Sequence, residues 1–402
     1  MSPTARPWPT SCPDTACWSM RPRCSRTGRR SPASPWFNHR RPHLALRPKQ
    51  RAMTDGHHTL IDQIARGPHP FVIAEIGINH NGDEALAAQM IEATAAAGAD
   101  CVKMQSFHVD EYLSPLAAKA AYQEQGPFAG KSQYEIIKAC ELDIAAMARL
   151  KRHAERLGLV FLSTPFERVS LREVLSLAPQ AIKVSSCNLT NTPFLEELAA
   201  SRIPVLLSTG MADLAEVARA VAIFKAAGTS LLLFQCTSNY PSKTENANLR
   251  VMDTYRAVFE VPVGFSDHTP DHVAAIAAVA RGAVAIEKHF TLSRDLPGID
   301  QKASIEPGQL TELVRVVRLT RAALGSPVKV RCGEEEDTTR ALRRSLVALR
   351  DLPVGTRLAA SDVAPKRPGT GLAVDQLDRF EGRQLTRPVA AHQPLQLDDF
   401  LL

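Results

Sequence analysis

The sequence of 402 residues predicts an α/β protein in which a (β/α)8 TIM barrel is followed by a small β-rich domain. Two observations predict the barrel. Between residues 71 and 325, eight short apolar and β-branched runs alternate with amphipathic, helix-like segments, and each run ends in polar side chains. Brief strand-like runs with turns at 353–355 and 368–371, after a charged and unpatterned stretch, predict the small domain.

The first 52 residues differ in composition from the rest of the chain. They contain all three Trp and carry ten Arg and one Lys against one Asp, with no helical or strand periodicity. They lack the apolar central segment of a secretory signal, although an organelle transit peptide would have a similar composition. We interpret residues 1–52 as a disordered extension or a mis-assigned start, with Met53 as the true first residue.

Charge and cysteine content exclude several classes of protein. Although the formal net charge is +6, residues 53–402 have a net charge of −4, so the body of the chain lacks the basic balance of a nucleic-acid-binding domain. No apolar run approaches the ~18 residues of a membrane span. The five cysteines after residue 53 are odd in number and scattered, which is typical of a reduced, cytoplasmic protein. We therefore expect no nucleic-acid partner and no membrane.

Eight predicted strands account for the barrel. In chain order they are 71–77, 101–107, 159–166, 181–186, 204–210, 231–238, 262–269 and 283–291. Three of the intervening segments (83–98, 143–158 and 213–228) open on Asp and end on Gly, as capped helices do. The alternative is a doubly wound open sheet, which rarely reaches eight regular units. The predicted domains are the extension 1–52, the barrel 53–325, a linker 326–340 and the small domain 341–402.

Polar residues stand where the predicted strands end, and in a barrel this face holds the active site. They are Glu75, Lys103, Gln105, Ser163, Thr164, Lys183, Ser185, Ser186, Ser208, Thr209, Thr237, Ser238, Tyr240, Ser266, Asp267, His268, Glu287 and His289. One such residue alone would indicate an ordinary solvated loop. Polar ends on all eight strands favour a polar cavity.

His268 and His289 end consecutive strands, the seventh and the eighth. Adjacent strands lie about 5 Å apart, so the two imidazoles can share one divalent cation. Glu287 precedes His289 by two residues and faces the same side, so it is a candidate further ligand, directly or through water. Each histidine alone is more often a structural residue. The pair with Glu287 predicts a site for Mn²⁺, Fe²⁺ or Zn²⁺.

Two further strands end in lysines. Lys103 shares a face with Gln105, and Lys183 is followed by Ser185 and Ser186. Two inward lysines with several hydroxyls predict a site for a small, multiply charged anion such as a phosphorylated carboxylic acid. The alternatives are surface lysines that snorkel to solvent and the Schiff-base lysine of a barrel aldolase.

Short segments of the chain resemble, in the same order, those of the sialic acid (N-acetylneuraminate) synthase family. They are AEIGINHNG (74–82), VKMQSF (102–107), FLSTPF (161–166), IKVSS (182–186), LSTGM (207–211), GFSDHT (264–269), IEKHFT (286–291) and KASIEP (302–307). LRRSLVA (342–348) and KRPGTG (366–371) resemble the antifreeze-like SAF domain of bacterial members. The resemblance extends from residue 71 to 402, over four-fifths of the chain.

This resemblance implies a reaction. Phosphoenolpyruvate condenses with an open-chain N-acetylated hexosamine to give a nonulosonic acid and phosphate, with a divalent metal, usually Mn²⁺, as Lewis acid. The sugar would be N-acetylmannosamine or a 2,4-diacetamido-trideoxyhexose. The other hypotheses are a Schiff-base barrel lyase and a non-catalytic sugar-binding barrel.

The resemblance also implies roles for individual residues. The metal ligands are His268 and His289, which with Glu75 and Glu287 form the catalytic set. The residues expected to contact phosphoenolpyruvate are Lys103, Thr164, Lys183, Ser186, Ser208 and Ser266. Those expected to contact the sugar are Gln105, Tyr240, Asp300 and Arg344. In the family the small domain reaches over the partner subunit's barrel, where an arginine contacts the N-acetyl group. Arg344 is expected in this role, with Arg343 as the alternative, and the arrangement implies a domain-swapped homodimer.

Three positions depart from the family pattern. Asn188 replaces a usual acidic residue, Ser238 stands where Asn is common, and Gln301 replaces a frequent His. An amide at position 188 can bind a hydroxyl but is a poor general base. We expect all three residues to lie on or near the sugar side of the site.

Overall fold

The computed structural model describes residues 59–117 and 130–400. The predicted extension 1–52 and its boundary at Met53 lie outside the described residues. Within the described part, eight parallel strands surround one axis, as the sequence predicted. They are β1 (Phe71–Gly77), β2 (Cys101–Ser106), β3 (Val160–Pro165), β4 (Ile182–Val184), β5 (Val205–Ser208), β6 (Leu231–Cys236), β7 (Val263–Asp267) and β8 (Ala285–His289).

The strands are hydrogen-bonded in the order β3-β2-β1-β8-β7-β6-β5-β4. β3 and β4, at the two ends of this order, also lie in contact, so the sheet closes into a barrel. The observed strands fall within the predicted runs. All except β1 are shorter at their carboxyl ends because the chain turns there, as after β4, where a 3-10 turn follows at Ser186–Asn188.

Helices lie before the first strand, between the strands and after the barrel. They are α1 (Leu60–Arg66), α2 (Glu84–Ala96), α3 (Val109–Tyr112), α4 (Gln133–Lys138), α5 (Ile144–Arg156), α6 (Arg168–Ser176), α7 (Thr192–Ala200), α8 (Leu214–Ala227), α9 (Val251–Phe259), α10 (Val273–Ala280), α11 (Pro307–Leu324), α12 (Glu336–Leu342) and α13 (Leu377–Phe380). The predicted Asp caps of α2, α5 and α8 are observed: each Asp side chain accepts hydrogen bonds from backbone N–H groups of the first turn.

Two apolar layers hold the barrel together. The larger one fills the space between the strands and the surrounding helices. The smaller one fills the inside of the barrel at its N-terminal end, where side chains of α1 pack against inward-facing residues of the strands. Its members are Leu60, Ile61, Ile64, Ile73, Cys101, Leu162, Ala181, Leu206, Leu232, Phe234 and Ala285. This end of the barrel is therefore filled, and an open cavity must lie at the carboxyl end of the strands.

The small C-terminal domain has a core of its own. β9 (Ser345–Ala348) pairs antiparallel with β10 (Val363–Lys366), and short isolated bridges complete the β-rich module that the sequence predicted. The predicted linker 326–340 is exposed, but it is not without structure, because α12 begins at Glu336. No helix among the described residues is long and apolar enough to cross a membrane.

Candidate active site

A cavity of about 710 Å³ opens at the carboxyl end of the barrel, and all eight strands contribute to its wall. Every predicted site residue except Arg344 lines it: Glu75, Lys103, Gln105, Thr164, Lys183, Ser186, Ser208, Tyr240, Ser266, His268, Glu287, His289 and Asp300. Arg344 is exposed on the small domain and is not part of this wall.

The alternation of side chains along each strand explains this convergence. Residues two apart on a strand face the same side, so on seven of the eight strands an inner-core residue is followed, two positions on, by a cavity residue. The pairs are Ile73 and Glu75, Cys101 and Lys103, Leu162 and Thr164, Ala181 and Lys183, Leu206 and Ser208, Phe234 and Cys236, and Ala285 and Glu287. The inward face of these seven strands thus changes from the apolar core to the cavity between the start and the end of the strand.

Two lysines and two glutamates form the charged floor of the cavity. Lys103 Nζ lies 2.7 Å from Glu75 Oε2, donates to Thr164 Oγ1 at 3.1 Å and lies 3.9 Å from Glu287 Oε2. Lys183 Nζ lies 3.5 Å from Glu287 Oε1. All four charged side chains are buried, so their charges interact through a medium of low polarity.

Lys183 and Glu287 also have hydroxyl partners. The ammonium of Lys183 donates to Ser208 Oγ at 2.6 Å, and Glu287 Oε1 accepts from Ser266 Oγ at 2.9 Å. These hydroxyls belong to the set predicted to contact phosphoenolpyruvate. Ammonium groups next to hydroxyls, both facing an open cavity, can bind the oxygens of a small anion.

The two glutamates of this cluster have pKa values shifted in opposite directions. Burial opposes ionisation of Glu287, but attraction to Lys103 and Lys183 outweighs it and lowers the pKa of Glu287 to about 2. The pKa of Glu75 is raised, by burial first and also by repulsion from Glu287, although Lys103 opposes the shift. One carboxyl group is therefore held ionised and the other is moved toward a protonated state.

The pKa values of the two lysines also shift in opposite directions. Burial lowers the pKa of both, but the two carboxylates outweigh it for Lys103, whose pKa is raised. The pKa of Lys183 is lowered, because burial and repulsion from Lys103 together exceed the attraction of Glu287.

His268 and His289 lie next to each other at the cavity wall, with ring centroids 5.5 Å apart. The ring of Tyr240 packs against both, at 4.2 Å and 5.4 Å between centroids. Nδ1 of His268 lies 2.8 Å from the carbonyl oxygen of Thr237, so it donates its N–H there and Nε2 keeps its lone pair. Nδ1 of His289 is buried without a hydrogen-bond partner, 4.0 Å from Asp300 Oδ2.

The chemistry of this pair fits a divalent cation. Burial lowers the pKa of His268 to about 4 and that of His289 to about 3, so both rings are neutral at physiological pH, the form that binds metals. Among the described residues, no group of three or more His, Cys, Asp and Glu side chains is arranged to hold a metal ion. Glu287, a candidate third ligand from the sequence, is directed instead toward the two lysines.

Several cavity residues could not be found from the sequence. One part of the wall is apolar and comes from loops that follow β1, β3 and β8, from α3 and the residue after it, and from α4. Its members are Ile78, Tyr112, Leu113, Ile137, Phe166 and Ile299. Met211 and Cys236 also line the cavity. Loop residues have no periodicity to mark them, and Cys236 continues an apolar strand, so no sequence signal separated them from ordinary core.

The departures from the family pattern lie in different places. Asn188 and Ser238 line the cavity, and their expected place on its sugar side stays a prediction. The amide of Asn188 donates from Nδ2 to the carbonyl of Phe166 at 2.9 Å and accepts at Oδ1 from Asn191 at 3.1 Å.

Gln301 directly follows Asp300, which lines the cavity, but it is not part of the wall itself. This side chain is fully buried outside the cavity wall. Its Nε2 donates to the carbonyl of Asn79 at 2.8 Å, and its Oε1 accepts from Thr291. Gln301 therefore connects the loops that follow β1 and β8.

A (β/α)8 barrel whose mouth combines buried lysines, carboxylates and a pair of neutral imidazoles has the arrangement of an enzyme that acts on small anionic substrates. The NeuB family model matches residues 90–329, and the SAF domain model matches residues 343–401. The chain therefore belongs to the NeuB family, as the sequence motifs predicted.

Named relatives agree with this assignment. The chain is 38% identical to an N,N'-diacetyllegionaminic acid synthase of Legionella pneumophila, over 80% of this chain and 92% of that protein. It is 36% identical to the N-acetylneuraminate-9-phosphate synthase of Mus musculus, over 73% and 82% of the two chains. A crystal structure of N-acetylneuraminic acid (sialic acid) synthetase from Leptospira borgpetersenii, in complex with citrate, matches with a TM-score of 0.60 at 33% identity, covering 68% of this chain and 91% of that one.

Proposed function

We propose that this protein condenses phosphoenolpyruvate with an N-acetylated hexosamine and releases a nonulosonic acid and inorganic phosphate. The observation that supports this most directly is the shared cavity, in which Lys103 and Lys183 line the same space as His268 and His289. An anion site and a pair of metal-binding groups can therefore act on two substrates held together.

In this proposal the lysines bind phosphoenolpyruvate. The carboxylate and phosphate of the substrate take the places next to the ammonium groups of Lys103 and Lys183. Hydroxyls of Thr164, Ser186, Ser208 and Ser266 complete the set of donors. Glu287, held ionised between the lysines and Ser266, fixes the positions of both ammonium groups before the substrate arrives.

The bond changes are those of an aldol-like addition. The C3 carbon of phosphoenolpyruvate bonds to the aldehyde carbon of the sugar, and the aldehyde oxygen takes up a proton. Water adds to C2, the bond between C2 and the phosphate oxygen breaks, and inorganic phosphate leaves. We assign to Glu75 the movement of a proton, because its pKa is raised and Gln105 and Lys103 hold its carboxyl group in the cavity.

The imidazoles of His268 and His289 would hold the divalent cation, Mn²⁺ in this proposal. When bound, a divalent cation supplies a Lewis acid that polarises the aldehyde oxygen of the sugar. Tyr240 packs on both rings and would keep their orientation while it contacts the sugar.

For the sugar we favour a 2,4-diacetamido-trideoxyhexose over N-acetylmannosamine. The apolar part of the cavity wall suits the 6-methyl group of a trideoxy sugar. A 6-hydroxyl placed there would lose its water partners, at a cost of about 1–3 kcal/mol. The relationship to an N,N'-diacetyllegionaminic acid synthase supports the same choice.

We also propose that the active form is a domain-swapped homodimer. Arg344 is exposed and absent from the cavity wall of its own chain, so it is available to the cavity of a partner. There it would bind the N-acetyl group of the sugar, and Arg344→Ala would raise the sugar KM with little change for phosphoenolpyruvate. A cytoplasmic location remains a prediction from the cysteine content.

A Schiff-base mechanism requires a neutral lysine amine. Lys103 has a raised pKa and is unsuitable, whereas Lys183, with its lowered pKa, is the residue to test. Borohydride treatment in the presence of pyruvate should give no adduct at Lys183. A trapped adduct would contradict the proposed condensation.

The decisive experiment is a substrate panel with Mn²⁺ and phosphoenolpyruvate. N-acetylmannosamine is compared with the two 2,4-diacetamido-trideoxyhexoses, and both phosphate release and product mass are measured. We expect release with a diacetamido sugar and a product mass equal to the sum of the sugar, phosphoenolpyruvate and water minus phosphoric acid. No phosphate release with any of the three would support a non-catalytic binding protein.

A further inference from the structure

Lys288 lies on β8 between two residues of the candidate site, Glu287 and His289. Successive side chains of a strand point to opposite sides, so Lys288 points away from the cavity. It is nevertheless only 1% exposed. A buried ammonium group needs acceptors for its N–H donors, and its partners show what it holds in place.

The three acceptors belong to Asp267, the last residue of β7, and to the turn that follows it. Lys288 Nζ donates to Asp267 Oδ2 at 2.6 Å, to the carbonyl of Thr269 at 2.7 Å and to the carbonyl of Asp271 at 2.8 Å. The three donors of the ammonium group are therefore all used. The other carboxylate oxygen of Asp267 accepts from the backbone N–H and the hydroxyl of Thr269, at 2.8 Å and 2.7 Å.

His268 lies in the chain between Asp267 and Thr269, and these hydrogen bonds hold both of its neighbours. The paired residues of β7 and β8 end at Asp267 and Lys288, so His268 lies beyond the strand ladder. Beyond the end of the ladder, the hydrogen bonds of the Lys288 side chain connect residues 267–271 to β8. The same strand carries His289 one residue later, so one side chain connects the backbone positions of both imidazoles.

We propose that Lys288 is a positioning residue that sets the spacing of the His268 and His289 rings and, through it, the affinity for the divalent cation. This inference rests on the proposed function, which assigns the cation to the two rings. Removal of a residue that orients metal ligands without binding the metal itself commonly lowers metal affinity about 10- to 100-fold.

The test is direct binding of Mn²⁺ to the full chain without substrates, read from the electron paramagnetic resonance signal of free Mn²⁺. Lys288→Met should weaken Mn²⁺ binding at least about tenfold. Its affinity for phosphoenolpyruvate should change less than about threefold, because Lys288 does not line the cavity. A general loss of stability would lower both affinities or neither, so the difference between them reports positioning.

The matched control is Arg318→Met. Arg318 on α11 pairs with Asp100, which precedes β2 at the opposite end of the barrel, with 2.9 Å between Nη2 and Oδ1. The Arg318→Met substitution removes an ion pair far from the imidazoles, so Mn²⁺ binding should remain as in the wild type. Asp267→Asn is a milder second variant that keeps an acceptor for Thr269, and it should weaken Mn²⁺ binding in the same direction as Lys288→Met.

Folded Lys288→Met or Asp267→Asn that binds Mn²⁺ as tightly as Arg318→Met overturns the proposal. Wild-type protein that binds no Mn²⁺ overturns it as well, together with the shared cation. Failure of the proposed reaction would be recognised separately, as the absence of phosphate release by wild-type protein that does bind Mn²⁺.

Discussion

Replacement of Lys183 by Met tests the anion site most directly. The Nζ of Lys183 lies 3.5 Å from Glu287 and 2.6 Å from Ser208. At an effective dielectric constant of about 20, two opposite unit charges at this distance attract by roughly 5 kcal/mol. Methionine has a similar length and no charge, so the variant removes this attraction with little change in packing.

The expected effect is on phosphoenolpyruvate. A hydrogen bond between a charged donor and a bound anion contributes about 1.5–3 kcal/mol net, which corresponds to a loss of about 10- to 150-fold in affinity. This loss in affinity is smaller than the Coulomb attraction between the ammonium group and the anion, because the anion exchanges contacts with water for contacts with protein. Without Lys183, the pKa of Glu287 should also rise, since two carboxyl groups then face the single ammonium of Lys103.

The assay is calorimetric titration with phosphoenolpyruvate, combined with KM values for both substrates. Lys225→Met, at an exposed position on α8, is the matched control and should bind phosphoenolpyruvate like the wild type. If Lys183→Met binds phosphoenolpyruvate within twofold of the wild type, or if only the sugar KM rises, the assignment of the anion site to Lys183 is refuted.

Three further predictions concern other parts of the molecule. At a sugar concentration well below the raised KM of Arg344→Ala, mixing His268→Ala subunits with Arg344→Ala subunits should restore roughly a quarter of wild-type activity, because random mixing makes half of the dimers mixed and each has one intact site. Burial lowers the pKa of His80 to about 4 from 6.5. The unfolded chain therefore binds a proton that the folded one does not, and the free energy of unfolding should fall by about 3 kcal/mol as the pH drops from 6.5 to 4. His80→Gln should remove this part of the pH dependence in guanidinium titrations. A Cβ at Gly210 would lie 2.2 Å from Ser238 Oγ, so Gly210→Ala should lower the free energy of unfolding by about 1–3 kcal/mol, and adding Ser238→Ala should recover part of it.

Each of these predictions has a contradicting result. At that low sugar concentration, a mixed His268→Ala and Arg344→Ala sample no more active than Arg344→Ala alone, although each variant is folded and subunits exchange, would contradict the domain swap. An unchanged pH slope in His80→Gln would show that His80 is not the titrating group. Equal stabilities of Gly210→Ala and the double variant would show that the Ser238 hydroxyl is not the obstacle.

The sequence alone determined the barrel and most of the site. The side-chain period of a strand is two, so an apolar residue such as Ile73 followed by Glu75 indicates both an inward face and its polar end. Because parallel strands in a barrel all end at one face, these polar ends had to meet. The Asp caps of the helices were predictable for a similar reason, since a cap depends on residues only a few positions apart.

Tertiary structure decided what depends on distant residues. Whether Glu287 faces a metal or the lysines depends on the distances between β8, β2 and β4, which no local pattern encodes. The apolar part of the cavity wall, with Phe166 as an example, comes from loops whose positions are fixed by packing. Gln301 lies outside the cavity wall because its side chain forms hydrogen bonds with Asn79 and Thr291. Local periodicity fixes which way a side chain points, whereas its partners are set by how the strands and loops pack together.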